Sequence, residues 1–357
     1  MTDNEMTKEE FINKVWEHLK EFEVKKKIEK EKDLQDLFDE HAEKINSNTI
    51  RYCRKPRKPQ ELSYSLIFDG CNSPDGVFKH NDEKIYIELK HADTYSDGHR
   101  WATLRDSISQ SLAYTISGND AITLTWEDKP KKVLENEEDE KNIIQNAWNW
   151  LGLRYIKKNN NRIIIETKCD SKPNSKNKGD NPPEGMKKII EQIQRQYFLN
   201  SLTSLRKSLL EETSPNKKLN RKFLSEITTK INNIQFTKGF GLEIICGRNP
   251  SSGEYAHYQI DNNGNSLSLG VIFAEDKHKS GLRNGVLASN LLYSLSNVNR
   301  WSISIVLCKE NLEYNLPDER KTQVQEFINK IWKNTGSYWI KGPFEDGENF
   351  KYLYPEI

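Results

Sequence analysis

Apolar and polar side chains alternate along Ile85-Tyr-Ile-Glu-Leu-Lys90, the two-residue period of a strand with one buried face. A polar turn at His80 to Lys84 separates this run from Ser73-Pro-Asp-Gly-Val-Phe78, so a hairpin is predicted whose first strand starts at Asp75. The period lengthens to that of an amphipathic helix over Arg100 to Ser117, and an apolar strand follows at Ala121 to Trp126. Upstream, Lys8 to Ile45 reads as mostly helical. It opens with Phe11, Val15, Trp16 and Leu19 on one face and closes with a highly charged helix from Asp33 to Ile45. Beyond the block come an acidic segment at Glu135 to Glu140, a helix carrying Trp148 and Trp150, and a short hairpin from Arg154 and Arg162.

Residues 168 to 185 are rich in Lys, Asn, Ser, Asp and Pro and nearly devoid of apolar side chains, the composition of a flexible connector. Two helices are expected after it, at about 186–212 and 216–231, and from Gly241 strands and helices alternate again. The pattern therefore predicts an α/β chain with an N-terminal domain over 1–166, a linker over 167–185 and a second α/β domain over 186–357. The second domain holds an echo of the first. Ile85-Tyr-Ile-Glu-Leu-Lys-His91 matches Val271-Ile-Phe-Ala-Glu-Asp-Lys-His278, and each is followed by a helix and an apolar strand. Either one supersecondary unit is repeated or two α/β segments coincide by chance. In a true repeat Glu254 or Asp261 would stand for Asp75. A copy without the Pro-Asp pair is expected to be inactive and to serve recognition or assembly.

The hairpin carries the candidate chemistry. Side chains two apart on a strand share a face, so Glu88 and Lys90 point the same way, and the hairpin brings Asp75 beside them. Two carboxylates and an amine at one strand end suit a hard cation and a water nucleophile. Mg²⁺ takes oxygen ligands and is commonly held by one or two carboxylates with substrate phosphate. Asp75 and Glu88 would supply the carboxylates, the Leu89 carbonyl a third oxygen, and Mn²⁺ would serve in place of Mg²⁺. Lys90 would orient or help deprotonate water, or offset charge on phosphate.

Pro74, Asp75, Glu88 and Lys90 resemble the motif of the PD-(D/E)xK nuclease superfamily, which includes many restriction endonucleases and the RecB-like exonucleases. Gln110 and Tyr114 fit the Gln-x-x-x-Tyr pattern of the RecB-like members, and the strand–strand–helix–strand order is that of the family core. The likeness covers roughly residues 35 to 130. It implies a restriction-endonuclease-like core with a central mixed sheet flanked by helices, metal binding by Asp75 and Glu88, and assistance by Lys90. It also implies a further acid or histidine from the upstream helix, for which Glu40 and His41 are the candidates. Gln110 and Tyr114 share a helix face and either touch a nucleic-acid backbone or pack as a boundary residue and a core aromatic.

Net charge is only +1, so nucleic-acid affinity has to come from a local patch. Arg51, Arg54, Lys55, Arg57 and Lys58 form one just before the hairpin, read as a phosphate-contacting arm or as a solvated loop. The five cysteines are scattered with no metal-ligand spacing, which argues against zinc and iron–sulfur sites and fits a reducing cytoplasm. No apolar run approaches a membrane span, and no phosphate-binding Gly-rich loop is present. The expectation is a cytoplasmic, Mg²⁺-dependent endonuclease acting on DNA, with RNA as the other substrate, in microbial restriction, anti-phage defence or a mobile element. The expected assembly is a homodimer or a subunit of a larger defence or transposition complex. The alternatives are a cleavage subunit inactive alone and a non-catalytic binding or sensor protein on the same scaffold.

Overall fold

The computed structural model describes residues 6–25, 28, 31–54, 73–92, 97–116, 118–127, 137–167, 178–195, 204, 241–249, 253–262, 265–274, 280–308, 318–343 and 355. They fall into two compact units, the first ending at 167 and the second beginning at 178. Each is a mixed α/β unit with its own sheet.

The first unit opens with α1 (Lys8–Lys20) and α2 (Glu31–Ala42). A capping box starts α1: the Thr7 hydroxyl accepts from the Glu10 N–H at 3.3 Å, and the Glu10 carboxylate accepts from the Thr7 N–H at 2.8 Å. Six strands follow in sequential order: β1 (Arg51–Arg54), β2 (Gly76–His80), β3 (Glu83–Ala92), β4 (Asp120–Glu127), β5 (Arg154–Asn159) and β6 (Arg162–Glu166). The first three strands pair antiparallel; β3, β4 and β5 run parallel. Parallel neighbours need crossovers, and α3 (Asp97–Tyr114) and α4 (Glu137–Leu151) supply them. The β5–β6 turn places Asn160 and Asn161 at φ of 45° and 64°, the two left-handed positions of a tight hairpin.

Alternation in β3 and β4 sorts the two faces. Ile85, Ile87 and Leu89 with Ile122, Leu124 and Trp126 pack into one core with Phe11, Val15, Trp16 and Leu19 of α1 and Leu34 and Phe38 of α2. The opposite positions, Tyr86 and Glu88, meet α3 through Tyr114. The sheet thus lies between helices on both faces.

The second unit contains α5 (Glu184–Gln194), β7 (Gly241–Asn249), β8 (Gly253–Asn262), β9 (Asn265–Ala274), α6 (Ser280–Ser296), β10 (Arg300–Cys308), α7 (Asp318–Thr335) and β11 (Ser337–Pro343). Its sheet runs β11-β10-β9-β8-β7, with β7, β8 and β9 antiparallel and β9, β10 and β11 parallel. Its core includes Leu269, Leu291, Leu295, Trp301, Ile303, Ile305, Ile331, Trp332 and Ile340. Glu254 and Asp261, the residues expected to stand for Asp75, both belong to the single strand β8.

The ends of the expected linker are built into the two units. Thr167 donates its N–H to the Tyr155 carbonyl at 3.1 Å in the first. In the second, the Lys178 ammonium donates to the carbonyls of Ser294 and Asn297, at 3.0 and 3.2 Å, and of Arg300, closing the end of α6. A Cβ at Gly179 would collide with the Trp332 backbone, so that approach demands glycine. Residues 168–177, and most of the expected 186–212 and 216–231 helices beyond α5, lie outside the described residues. Among the described residues no helix is long and apolar enough to cross a membrane.

Candidate active site

The β2–β3 ladder ends at Gly76↔Ile87, and among the described residues no further strand pairs with that edge of β3. Asp75 stands at the fork. Its N–H donates to the Ile87 carbonyl at 3.0 Å, and its Oδ2 accepts from the Leu89 N–H at 2.8 Å. The carboxylate thus replaces the strand that ended. Within a strand the N–H and C=O of one residue point to the same edge, so the Leu89 carbonyl also faces this fork. Pro74, preceding Asp75, is buried.

Glu88 lies on the α3 side of β3 and is 2% exposed. The Tyr114 hydroxyl donates to its Oε2 at 2.8 Å, and the Lys90 ammonium is 2.5 Å from its Oε1. Burial, reinforced by the negative charge of Asp75, pushes the Glu88 carboxyl up to about 7 against the pull of Lys90 and Tyr114. For Lys90, burial alone would favour the neutral amine, but the charges of Glu88, Asp75 and Glu31 outweigh it and hold the ammonium above its ordinary range. Two carboxylates and an ammonium therefore form one coupled group.

Helix α2 supports the fork by residues other than those expected. Gln35 is buried and donates to the Asp75 carbonyl at 3.3 Å and to Asp39 Oδ1 at 2.9 Å. Asp39, also buried, accepts the Tyr52 hydroxyl at 2.6 Å. The Tyr52 ring passes so close to Gly76 that a Cβ there would overlap it. Glu40 is exposed, and His41 is committed to α1: it stacks on His18 with ring centroids 4.2 Å apart, and each imidazole bonds the other's backbone carbonyl, at 2.7 and 2.9 Å. Among the described contacts none brings Glu40 or His41, the expected ligands from this helix, to Asp75 or Glu88. The 100° turn per residue sends them off the site face, which carries Gln35 and Asp39 at a spacing of four. That spacing was legible beside Leu34 and Phe38; the polar partners were not.

Tyr114 is buried with its hydroxyl on Glu88, so it holds a carboxylate where a backbone contact was one of two expectations. Gln110, one turn earlier, is half-buried, and its enclosed Oε1 finds no hydrogen-bond partner among the described residues. Arg51 and Arg54 belong to β1. Arg51 is exposed, while the Arg54 Nε sits 2.6 Å from Glu43 Oε1 and 3.9 Å from Asp39 Oδ2. Lys55, Arg57 and Lys58 lie outside the described residues.

Among the described residues no group of three or more His, Cys, Asp or Glu side chains could hold a metal ion. Asp75 and Glu88 are a pair, and Mg²⁺ needs no more than one or two carboxylates when water and phosphate complete its shell. The all-oxygen donors, and a Glu88 carboxyl raised by burial and then by Asp75, fit a hard cation, which would offset both. No protein-family model and no curated protein matches this chain.

Proposed function

We propose that the first unit is a restriction-endonuclease-like, Mg²⁺-dependent DNA endonuclease of the PD-(D/E)xK kind, with Asp75, Glu88 and Lys90 as its reacting constellation. The observation that carries this reading is the convergence of the three groups where the β2–β3 ladder ends, each held by a partner. When bound, a divalent ion would act as a Lewis acid on a phosphate oxygen and lower the pKa of a coordinated water. The protein's own share is positioning and charge. The Leu89 N–H fixes one oxygen of Asp75. Tyr114 and Lys90 fix one Glu88 oxygen each, which limits the rotations open to that carboxylate. Because its neighbours keep Lys90 protonated, its ammonium suits the developing negative charge on a scissile phosphate better than it suits proton abstraction.

The test is incubation of the purified chain with supercoiled, linear and single-stranded DNA, with and without Mg²⁺. Cleavage that requires the ion and disappears in Asp75→Ala supports the proposal. Wild-type nicking by Asp75→Ala in Mg²⁺ would sink it.

A further inference from the structure

The two units share one strand and helix order: three antiparallel strands, then a helix, a parallel strand, a second helix and a second parallel strand. Their sequences coincide most closely at the second helix. Trp148-Asn-Trp-Leu-Gly152-Leu-Arg-Tyr155-Ile-Lys157 parallels Trp332-Lys-Asn-Thr-Gly336-Ser-Tyr-Trp339-Ile-Lys341. Both tryptophans are among the largest fully buried side chains. Both glycines are left-handed, at φ of 73° and 69°, and each donates its N–H to the carbonyl of its tryptophan at 2.9 Å. Both lysines are buried strand residues. Identical spacing at these three positions, with one cap geometry at the glycine and burial of both the tryptophan and the lysine, is hard to obtain by convergence on a common topology alone.

This anchor fixes the register of the remaining strands. Across the first sheet Lys157 faces Thr125 and Thr125 faces Lys90; across the second Lys341 faces Val306 and Val306 faces Ile272. Tyr155, Thr123 and Glu88 correspond in the same way to Trp339, Ser304 and Gly270. The α3 and α6 helices agree: Ser111 bonds Thr123 at 2.6 Å, and Asn290 bonds Ser304 at 2.7 Å. Asp75, one residue before the Gly76↔Ile87 pair and opposite Glu88, corresponds to His257, which pairs with Gly270. The positions of Asp75, Glu88 and Lys90 are therefore His257, Gly270 and Ile272. Glu127 and Glu140 correspond to Cys308 and Val324. Glu275 and Lys277, expected to mirror Glu88 and Lys90, come five residues too late in the chain; they follow the end of β9 and lie outside the described residues.

We infer that the second unit is a tandem copy of the first without the acid pair, so that one chain cuts one strand of duplex DNA per encounter and releases a nick. This rests on the reading of the first unit as the nuclease. Among the described residues Asp75, Glu88, Glu127 and Glu140 of the first unit all have non-acidic counterparts in the second, whereas the buried Lys157 is kept as Lys341. A fold retained after loss of its acids can still pack and bind, but it cannot hold a hard cation at the equivalent place.

The test uses the full-length chain. Mn²⁺ binding followed by electron paramagnetic resonance should show one class of site, lost in Glu88→Gln and unchanged in Glu275→Gln. With supercoiled plasmid in excess, open circles should accumulate before any linear form, in wild type and Glu275→Gln alike. Mn²⁺ retained in Glu88→Gln but lost in Glu275→Gln overturns the inference while leaving metal-dependent chemistry in place. So does concerted conversion of supercoiled to linear plasmid. A chain that neither binds Mn²⁺ nor nicks overturns the reading of the first unit, and this inference falls with it.

Discussion

Glu88→Gln is the substitution whose consequences the site geometry defines best. The wild-type carboxyl is held up to about 7 by burial and by Asp75. It carries a proton below that pH and must lose it before it can ligate a cation. Apparent Mn²⁺ affinity should therefore rise about tenfold per pH unit from pH 5.5 toward 7 and flatten above it. Calorimetry at pH 7 in buffers of different ionisation enthalpy should report release of about half a proton per ion bound, as expected for a group at its midpoint. Glu88→Gln keeps the shape and the Tyr114 contact but removes both the charge and the titration, so Mn²⁺ binding should be lost at every pH in this range. The same shift acts on stability. Against an ordinary value of 4.5, folding takes up a proton between 4.5 and about 7, so the metal-free protein should lose stability as pH rises through that window. A rise from 4.5 to about 7 corresponds to about 3 kcal/mol, readable by denaturant titration at pH 5 and pH 8. Wild-type Mn²⁺ affinity that does not change between pH 6 and 8 would refute this reasoning, as would a Gln variant that binds as tightly.

Lys90→Ala should lose most cleavage while Mn²⁺ binding persists; calorimetry that shows both lost together would give Lys90 a structural role instead. Tyr114→Phe removes a donor that lowers the Glu88 carboxyl, so the pH midpoint of metal binding should move to higher pH, a change a purely packing role would not produce. Gly76→Ala forces a methyl into the Tyr52 ring and should destabilise the first unit by about 1–3 kcal/mol in urea unfolding. Substituting Glu40 by Gln should leave metal binding unchanged, since that side chain is exposed and off the site face. Limited proteolysis of the native chain should cut first within 168–177, where the sequence is polar and nearly devoid of apolar side chains, yielding two stable fragments.

Periodicity and residue chemistry carried the elements and the central constellation. The alternation through Ile85 to Lys90 placed Glu88 and Lys90 on one face, and the turn before it returned Asp75 to their side. No more than a strand period and a hairpin was needed, because both are local. The second unit was legible as another α/β segment, and its kinship with the first lies in spacings, as in Trp148 to Lys157 and Trp332 to Lys341. Register was not legible: the match of Glu88 to Glu275 follows four similar letters, whereas the ladders bring Gly270 to that place. Nor did the sequence reveal that His41 stacks on His18, that Tyr114 holds Glu88, or that Lys178 anchors a stretch that reads as linker. Each of those contacts joins residues far apart in the chain, and partner choice there depends on how helices seat on a sheet. Local sequence determined which side chains share a face; only tertiary packing decided which face meets which, because burial and pairing are properties of two surfaces together.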